Sequence, residues 1–476
     1  MIGHRRDEKA GRFGERRRWI PLLAIAASAS ACVPKDAGYD DVRNMVSRRA
    51  NADVRYRHVD SADTAEQVKE LLEKPLSDRD AVQVALLNNP DVQASFEDLG
   101  VARARLVHAL RLPNPHGEAA VRYHGDSKPE LDLSVTLDVS QLLFMPYRKG
   151  VADADLNAAK LETTGRILDT VLAVRRAYFD LLAAQQGVEM RRKVIMASNA
   201  AYATARRLHD AGNITDLDLL TEKAQYDEAR LAAARAEFAV VRSRERLQNL
   251  MGAFGAQANW TTMARLADVP ERDPVASEKD ALRVSLDLAA IRARYAAAGG
   301  RANLARVEGW LPSVRGGVTA ERAETNWSLG PLVELEVPLF YQGQGRVDEA
   351  EADWRRQQHM YGSIALKIRS ALRTATQNLS SARATALHYK NVLLPLRARI
   401  VHETQLGYNA MGVGVFQLIQ ARRDEIETGR AYVEAQRDYW TARAELEQLM
   451  SGRLVEVTAV SGPGMVSAPS ADGGGH

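Results

Sequence analysis

Residues 164–188 read TGRILDTVLAVRRAYFDLLAAQQGV, and they sit inside a longer run, Val151 to Met251, that decides the fold. No proline interrupts that run, and its one clear break is Ala211-Gly212-Asn213. Apolar residues recur at Ile167, Val171, Val174, Tyr178, Leu181 and Val188, the three-four spacing of one helix face. A second seam, Leu168, Leu172, Phe179 and Leu182, runs beside the first, as suits a helix with neighbours on both sides. The return arm carries Leu220, Ala224, Leu231, Ala234, Phe238 and Val241, and its alanines let backbones approach closely. The reading is one long antiparallel helical hairpin. An arm of roughly 60 residues would span about 90 Å at 1.5 Å per residue.

Working outward, the pattern changes period on the amino-terminal side. Leu131, Leu133, Val135, Leu137 and Val139 alternate with Asp132, Ser134, Thr136, Asp138 and Ser140, the period of a strand with one apolar and one polar face. Ala119, Val121 and Tyr123 suggest a partner strand. Before them a helix is predicted from Ser77, where Asp80 three residues on makes a capping box, to about Leu110 and the Leu112-Pro113 stop. Residues 33–75 are polar and read as an extended segment packed on the outside.

The whole pattern then returns about 200 residues later. Asp80-Ala81 recurs as Asp280-Ala281, Leu112-Pro113 as Leu311-Pro312, and Leu143-Phe144 as Leu339-Phe340 after Pro338. Gly212 recurs as Gly412, Asp218-Leu219-Leu220 as Gln417-Leu418-Ile419, and Leu250-Met251 as Leu449-Met450. Two further strands are predicted, Val314 to Ala323 and Trp327 to Val337. Each half is helix, strand pair, long helix, turn, long helix. The domain reading is therefore a signal segment at 1–31, an extended segment at 32–75, repeat 1 at 76–255, a linker at 256–279, repeat 2 at 280–452, and a Gly, Ser and Pro-rich disordered tail at 453–476.

The chain has 476 residues and a net charge of +3, with no basic excess that points to nucleic acid. The first 31 residues hold seven Lys or Arg and three acids, so the remainder is close to neutral. Arg16-Arg17-Arg18, an apolar stretch from Trp19 to Ala27, and Ala29-Ser30-Ala31-Cys32 read as a secretory signal ending in a lipobox, with Cys32 lipidated. Ala29 stands where leucine is usual in such a motif. Cys32 is the sole cysteine, so intramolecular disulfides and cysteine metal clusters are excluded. No run of about 20 apolar residues forms a transmembrane helix. No catalytic constellation or phosphate loop is present. His108, His116 and His124 are too scattered for a zinc site, and no cofactor is expected.

Four strands with an apolar outer face cannot close a barrel, since barrels need about eight strands and an open edge in lipid leaves backbone groups unpaired. Several chains must pool them. The sequence resembles the TolC family of outer-membrane efflux proteins over residues 76–452. The resemblance rests on Asp80 to Pro90 (DAVQVALLNNP), Tyr178 to Ala183 (YFDLLA), Ala211-Gly212 to Gln225, Pro338-Leu339-Phe340, and Leu406-Gly407-Tyr408 to Ala421, in order and duplicated. It implies a mainly α fold with a small β part. Three chains would form a helical barrel through the periplasm and a shared transmembrane β-barrel of which each contributes four strands. The implied function is the exit duct of a tripartite efflux system, not an enzyme. It would pass small molecules or metal ions from a periplasmic adaptor and inner-membrane pump across the outer membrane of a Gram-negative bacterium. The exit duct of a type I protein secretion system is the alternative, and a periplasmic adaptor-like coiled coil a more distant one.

The resemblance also suggests site residues. The turns at Gly212, Asn213, Gly412 and Val413 are periplasmic tips that meet the adaptor, with Gly212 and Gly412 also capping their helices at positive φ. Some family members carry two aspartates after the second turn that ring the closed end of the tunnel. Gln417 and Gln420 occupy those places here, and Asp216 and Asp218 after the first turn are the alternative source of charge, or else simply cap the return helix. Asp132, Asp138, Glu334 and Glu336 are expected to line the aqueous lumen of the β-barrel, because an isolated acid facing lipid is costly.

Overall fold

A computed structural model describes residues 38–456 apart from 124, 126–128, 312, 324 and 325. Cys32, His124 and the tail from 457 onward lie outside the described residues. The elements run α1 (Tyr39–Ala50), α2 (Arg57–Leu72), α3 (Asp78–Asn88), α4 (Pro90–Ala109), β1 (His116–Arg122), β2 (Glu130–Asp138), α5 (Val139–Asp210) and α6 (Asp216–Met251). The second half gives α7 (Glu278–Val284), α8 (Leu286–Trp310), β3 (Val314–Ala323), β4 (Asn326–Leu335), α9 (Gln344–His388), a π turn (Tyr389–Leu393), α10 (Leu394–Asn409) and α11 (Val415–Met450).

The predicted hairpin exists but is lopsided. The outgoing helix α5 has 72 residues, about 108 Å at 1.5 Å per residue, while the returning α6 has 36. The helix starts twelve residues before Val151, because Asp138 caps it: its carboxylate accepts from the Gln141 backbone amide at 3.3 Å. Val139 therefore leaves the strand for the helix, and Pro146 is tolerated within it. Both seams of α5 are buried, including Ile167, Val174 and Leu181 with no exposed surface. They pack against α3 and α4, against α8, and against α11.

The single helix expected from Ser77 to Leu110 is two. Pro90 has no N–H to donate and holds Asn89 in an extended conformation, which ends α3 and starts α4. The asparagines then serve two chains of backbone at once. Asn89 Oδ1 accepts from the Asp91 amide at 2.6 Å, while its Nδ2 donates to the Leu250 carbonyl at 2.7 Å and Asn88 Nδ2 donates to the Gly252 carbonyl at 2.7 Å. The last carbonyls of α6 are thereby satisfied by the start of the repeat. The second half repeats the device with other residues: the Leu286 amide donates to the Gly452 carbonyl at 2.8 Å. Gly252 and Gly452 have φ of +65° and +97° and lie so close to the Asn88 and Val284 carbonyls that no side chain would fit.

Three further expectations need correction. Residues 39–50 and 57–72 are helical, not extended; α1 has only two buried anchors of its own, Val42 and Val46, and is held by the rest of the fold, for instance through Asp41 and Lys160 at 2.7 Å. The reading of 453–476 as tail begins too early, since Arg453 reaches Asp169 at 2.6 Å and also pairs with Asp287, and Val455 is buried. The predicted linker packs rather than dangles: Trp260 is buried beneath the Arg244 guanidinium, and Leu76 bridges Thr262.

The four strands form one antiparallel sheet in the order β1-β2-β3-β4, so β2 and β3 join the two halves. Val135 pairs with Val318 and Leu133 with Ala320, and across the next ladder Val318 pairs with Pro331 and Ala320 with Leu329. One face is thus apolar through all four strands. β4 ends at Leu335, two residues before the predicted Val337.

Candidate functional site

The apolar face of the sheet is uncovered. Val135, Val318, Leu329 and Val333 are all about half or more exposed, and β1 and β4 are open edges among the described residues. At its far end Arg322 lies over the Trp327 ring, 5.9 Å from the centroid. The opposite face carries the acids that sequence placed on a lumen. Asp132 is bridged by Arg122 at 2.5 Å and Glu334 by Arg315 at 3.3 Å. Asp138 is on this face, but its carboxylate is taken up by Ser140 and Gln141 at the start of α5. Glu336 lies beyond β4, where only its backbone is engaged, by the Ser313 carbonyl at 3.2 Å. Of the four acids, then, two are salted across neighbouring strands, one is a helix cap, and one is off the sheet.

At the other end of the molecule the two hairpin turns share one hydrogen-bond pattern. The Asn213 amide donates to the Leu208 carbonyl at 2.8 Å and the Gly212 amide to His209 at 2.8 Å. The Gly412 amide donates to Gly407 at 2.9 Å and the Met411 amide to Tyr408 at 2.9 Å. Both are the Schellman arrangement, which places the residue after the helix cap in the left-handed region. That residue is Gly212 (φ +75°) in the first turn and Met411 (φ +59°) in the second. Gly412 does not have positive φ, so the expected equivalence of Gly212 and Gly412 is wrong by one residue. The equivalent of Gly412 is Asn213, an offset of 199, as the match of Asp218 with Gln417 already implied. Gly407 serves a different need: a Cβ there would come within 2.7 Å of Val413, so its absence lets Val413 fold back on the helix.

After the first turn, Thr215 and Asp218 form a reciprocal capping box, with Oγ1 of Thr215 and Oδ2 of Asp218 at 2.8 Å. These bonds from Thr215 hold the Asp218 carboxyl below the usual carboxylate range. Asp216 lies 2.6 Å from His209 across the turn. Gln420 donates to Asp424 at 2.9 Å, and Asp424 is also paired with Arg397 at 3.2 Å. Gln417 is exposed. Among the described residues no bond joins Asp216 or Asp218 to Gln417 or Gln420. The hairpins meet one turn further in, where Arg423 of α11 reaches Glu222 at 3.5 Å and also bonds Gln225, both on α6. Sequence reading passed over Arg423. The 199-residue offset sets it against Ala224, and Glu222 against Ala421, so two opposite charges that each face an alanine were the available signal.

The outer membrane efflux protein model matches residues 81–253, which span the first helix of repeat 1, its strand pair and its whole hairpin. Over those residues the chain is similar to the outer membrane efflux protein family. It is 22% identical to the cobalt-zinc-cadmium resistance protein CzcC of Cupriavidus metallidurans over 388 residues, covering 79% of this chain and 90% of that one. It is 26% identical to the alkaline protease secretion protein AprF of Pseudomonas aeruginosa, covering 77% and 82%. The crystal structure of the outer membrane protein VceC from Vibrio cholerae superposes with a TM-score of 0.64 at 15% identity, covering 82% and 97%. At that identity the likeness establishes the fold.

Proposed function

We propose that this protein is one of three identical subunits of an outer-membrane exit duct in a tripartite efflux system. The observation that carries the proposal is the sheet. Four strands with a continuous exposed apolar face and two open edges are stable in lipid only when other copies complete the barrel. The hairpins support the same reading, since α6 leaves Leu220, Leu231, Phe238 and Val241 exposed, as an apolar stripe awaiting a neighbour does. Small molecules or metal ions would enter from a periplasmic adaptor and inner-membrane pump and leave to the exterior. The similarity to CzcC favours metal ions and that to AprF favours protein export through a type I system. Adaptor docking is assigned to the turns around Gly212, Asn213, Gly412 and Val413. Closure is assigned to the helices just behind them, which carry Asp216, Asp218, Gln417 and Gln420. Cys32 is assigned as the lipid attachment point.

The test is assembly and conduction together. The protein extracted from outer membranes in detergent should scatter light as a trimer and conduct ions in planar bilayers; a stable monomer with full β content would refute the duct. Asp216→Ala with Asp218→Ala should weaken cation preference, and Gln417→Ala with Gln420→Ala should raise resting conductance. Labelled palmitate should enter the parent and not Cys32→Ser.

A further inference from the structure

At the junction of the sheet and the helices, a cavity of about 640 Å³ lies over α5 between α4 and α8. Its acids are spoken for: Asp155 is paired with Arg301 at 2.6 Å and Glu162 with Arg294 at 2.6 Å. Arg148, also on its wall, is paired with Glu308 at 3.2 Å. Three basic residues of its lining remain: Arg105 and His108, three residues apart on one edge of α4, and Arg111, two residues past its end. Among the described residues none of their side chains has a hydrogen-bond or ion-pair partner. The cavity continues, through the shared residues Arg111 and Gln141, into a second of about 520 Å³. That one is lined by Thr136, Asp138 and Arg315, all on the polar face of the sheet. The opposite side of α5 is where Lys160 meets α1. The pair of cavities therefore opens on the side that the duct reading makes the lumen.

We infer that this groove is a binding site for multivalent oxyanions, and that it gives the duct a cation-lined, anion-favouring belt where the helical tunnel enters the sheet. Arg105 and Arg111 supply two planar guanidinium forks with no internal partner, suited to phosphate or carboxylate oxygens. The surrounding ion pairs neutralise Asp155, Glu162 and Arg148, and the two free guanidiniums outweigh the one carboxylate without a cationic partner, Asp138, so the groove is net positive. The lumen acids Asp132 and Glu334, by contrast, are already neutralised by arginines on neighbouring strands. Repeated by three copies, the belt would hold anions at one level of the passage.

The inference rests on the duct reading for its lumen, and two measurements separate the claims. In planar bilayers with a potassium chloride gradient, Arg105→Gln with Arg111→Gln should lower the chloride-to-potassium permeability ratio at least about twofold, while Arg105→Lys with Arg111→Lys should keep the parent ratio. In detergent, calorimetry with pyrophosphate should show binding to the parent that the glutamine pair weakens about tenfold. Circular dichroism checks that the variants keep the parent fold. Equal permeability ratios and equal pyrophosphate binding in parent and glutamine variant would overturn the inference. A parent that binds pyrophosphate but does not conduct would keep the site and sink the duct.

Discussion

The two hairpin turns have the same backbone hydrogen bonds and unequal side chains. In the first, glycine occupies the left-handed position and Thr215 with Asp218 seals the returning helix on both sides. In the second, Met411 occupies that position, almost wholly exposed, and Gly414 starts α11 with no side-chain cap. A non-glycine residue in the left-handed region costs about 1 kcal/mol or more, and glycine in place of a capping side chain about a few tenths more. The topology dictates the turn in both places, and the residues decide how firmly it is held. The second turn is thus the looser one, and local opening should begin there. The second hairpin is also broken midway by the π turn at Tyr389–Leu393, where the Leu394 amide donates to the carbonyl of Tyr389, five residues back, just before Pro395.

The contact that keeps the loose turn in step with the firm one is Arg423. Its side chain is 11% exposed and that of Glu222 is 15%. Arg423→Ala would leave Glu222 without its partner in a largely desolvated place, at a local cost of about 2 kcal/mol given the 3.5 Å separation. Hydrogen exchange in the first turns of α6 and α11 should quicken more than tenfold, and resting conductance should rise. Adding Glu222→Gln should recover part of the loss. Unchanged exchange in both helices would mean that the two tips open independently.

Turn geometry gives the next contrast. Gly212→Ala should destabilise the first hairpin by about 1 kcal/mol because φ there is +75°. Gly412→Ala should cost almost nothing, since its φ is not positive and a Cβ there would sit 3.7 Å from the nearest atom. Met411→Gly should stabilise the second hairpin by about 1 kcal/mol. Equal losses for the two alanine variants, read by urea-dependent exchange, would restore the equivalence of Gly212 and Gly412 that the internal repeat suggested.

That near miss is typical of what the sequence made legible. Period three-four and period two located both long hairpins and all four strands, because those elements bury or expose whole faces whose spacing is written in the chain. The break at Asn89-Pro90 was visible as a proline but read as part of one helix, since apolar residues continue through it. The helices α1 and α2 were invisible because their stability is tertiary: few of their described residues are buried, α1 is anchored on α4 and α5, and α2 packs on α3. At the site, sequence found the turns but not Arg423, whose role needs two helices 200 residues apart to be side by side. The acids of the sheet were found as acids, yet that Asp138 is a cap and that Asp132 and Glu334 are already paired follows only from the folded chain.

A smaller effect should come from Thr215→Ala, about 1 kcal/mol at the start of α6, with no change in the second hairpin. Acid offers the same contrast without mutation. The capping box depresses the Asp218 pKa in the fold, so its contribution is present above the unfolded value, about 3.9, and is lost as pH falls through the depressed folded value. Proteolysis or exchange at residues 210–220 should therefore quicken below about pH 4, in the parent and not in Thr215→Ala. Equal acid sensitivity in the two proteins would show that Asp218 is not the group responsible.

The smallest expected change would make the second turn resemble the first. Gly414 has φ −74° and ψ 155°, extended values that any residue adopts, and no atom lies within 4 Å of where its Cβ would be. Gly414→Ser with Gln417→Glu would place a hydroxyl and a carboxylate three residues apart, the capping box that Thr215 and Asp218 form in the first turn. Glycine is itself a fair helix cap, so the gain should be only a few tenths of a kcal/mol, with a further few tenths from restricting the unfolded chain. Exchange at residues 411–418 should slow about twofold to threefold. The same pair of changes puts one carboxylate per chain at the position where some relatives of the family carry an acid ring. Tip stability and ion preference can then be read from one protein. If exchange slows while cation preference stays at the parent value, residue 417 caps its helix and does not face the passage. If cation preference rises as well, Gln417 lies on the lumen side and the duct of this protein is closed there by uncharged side chains.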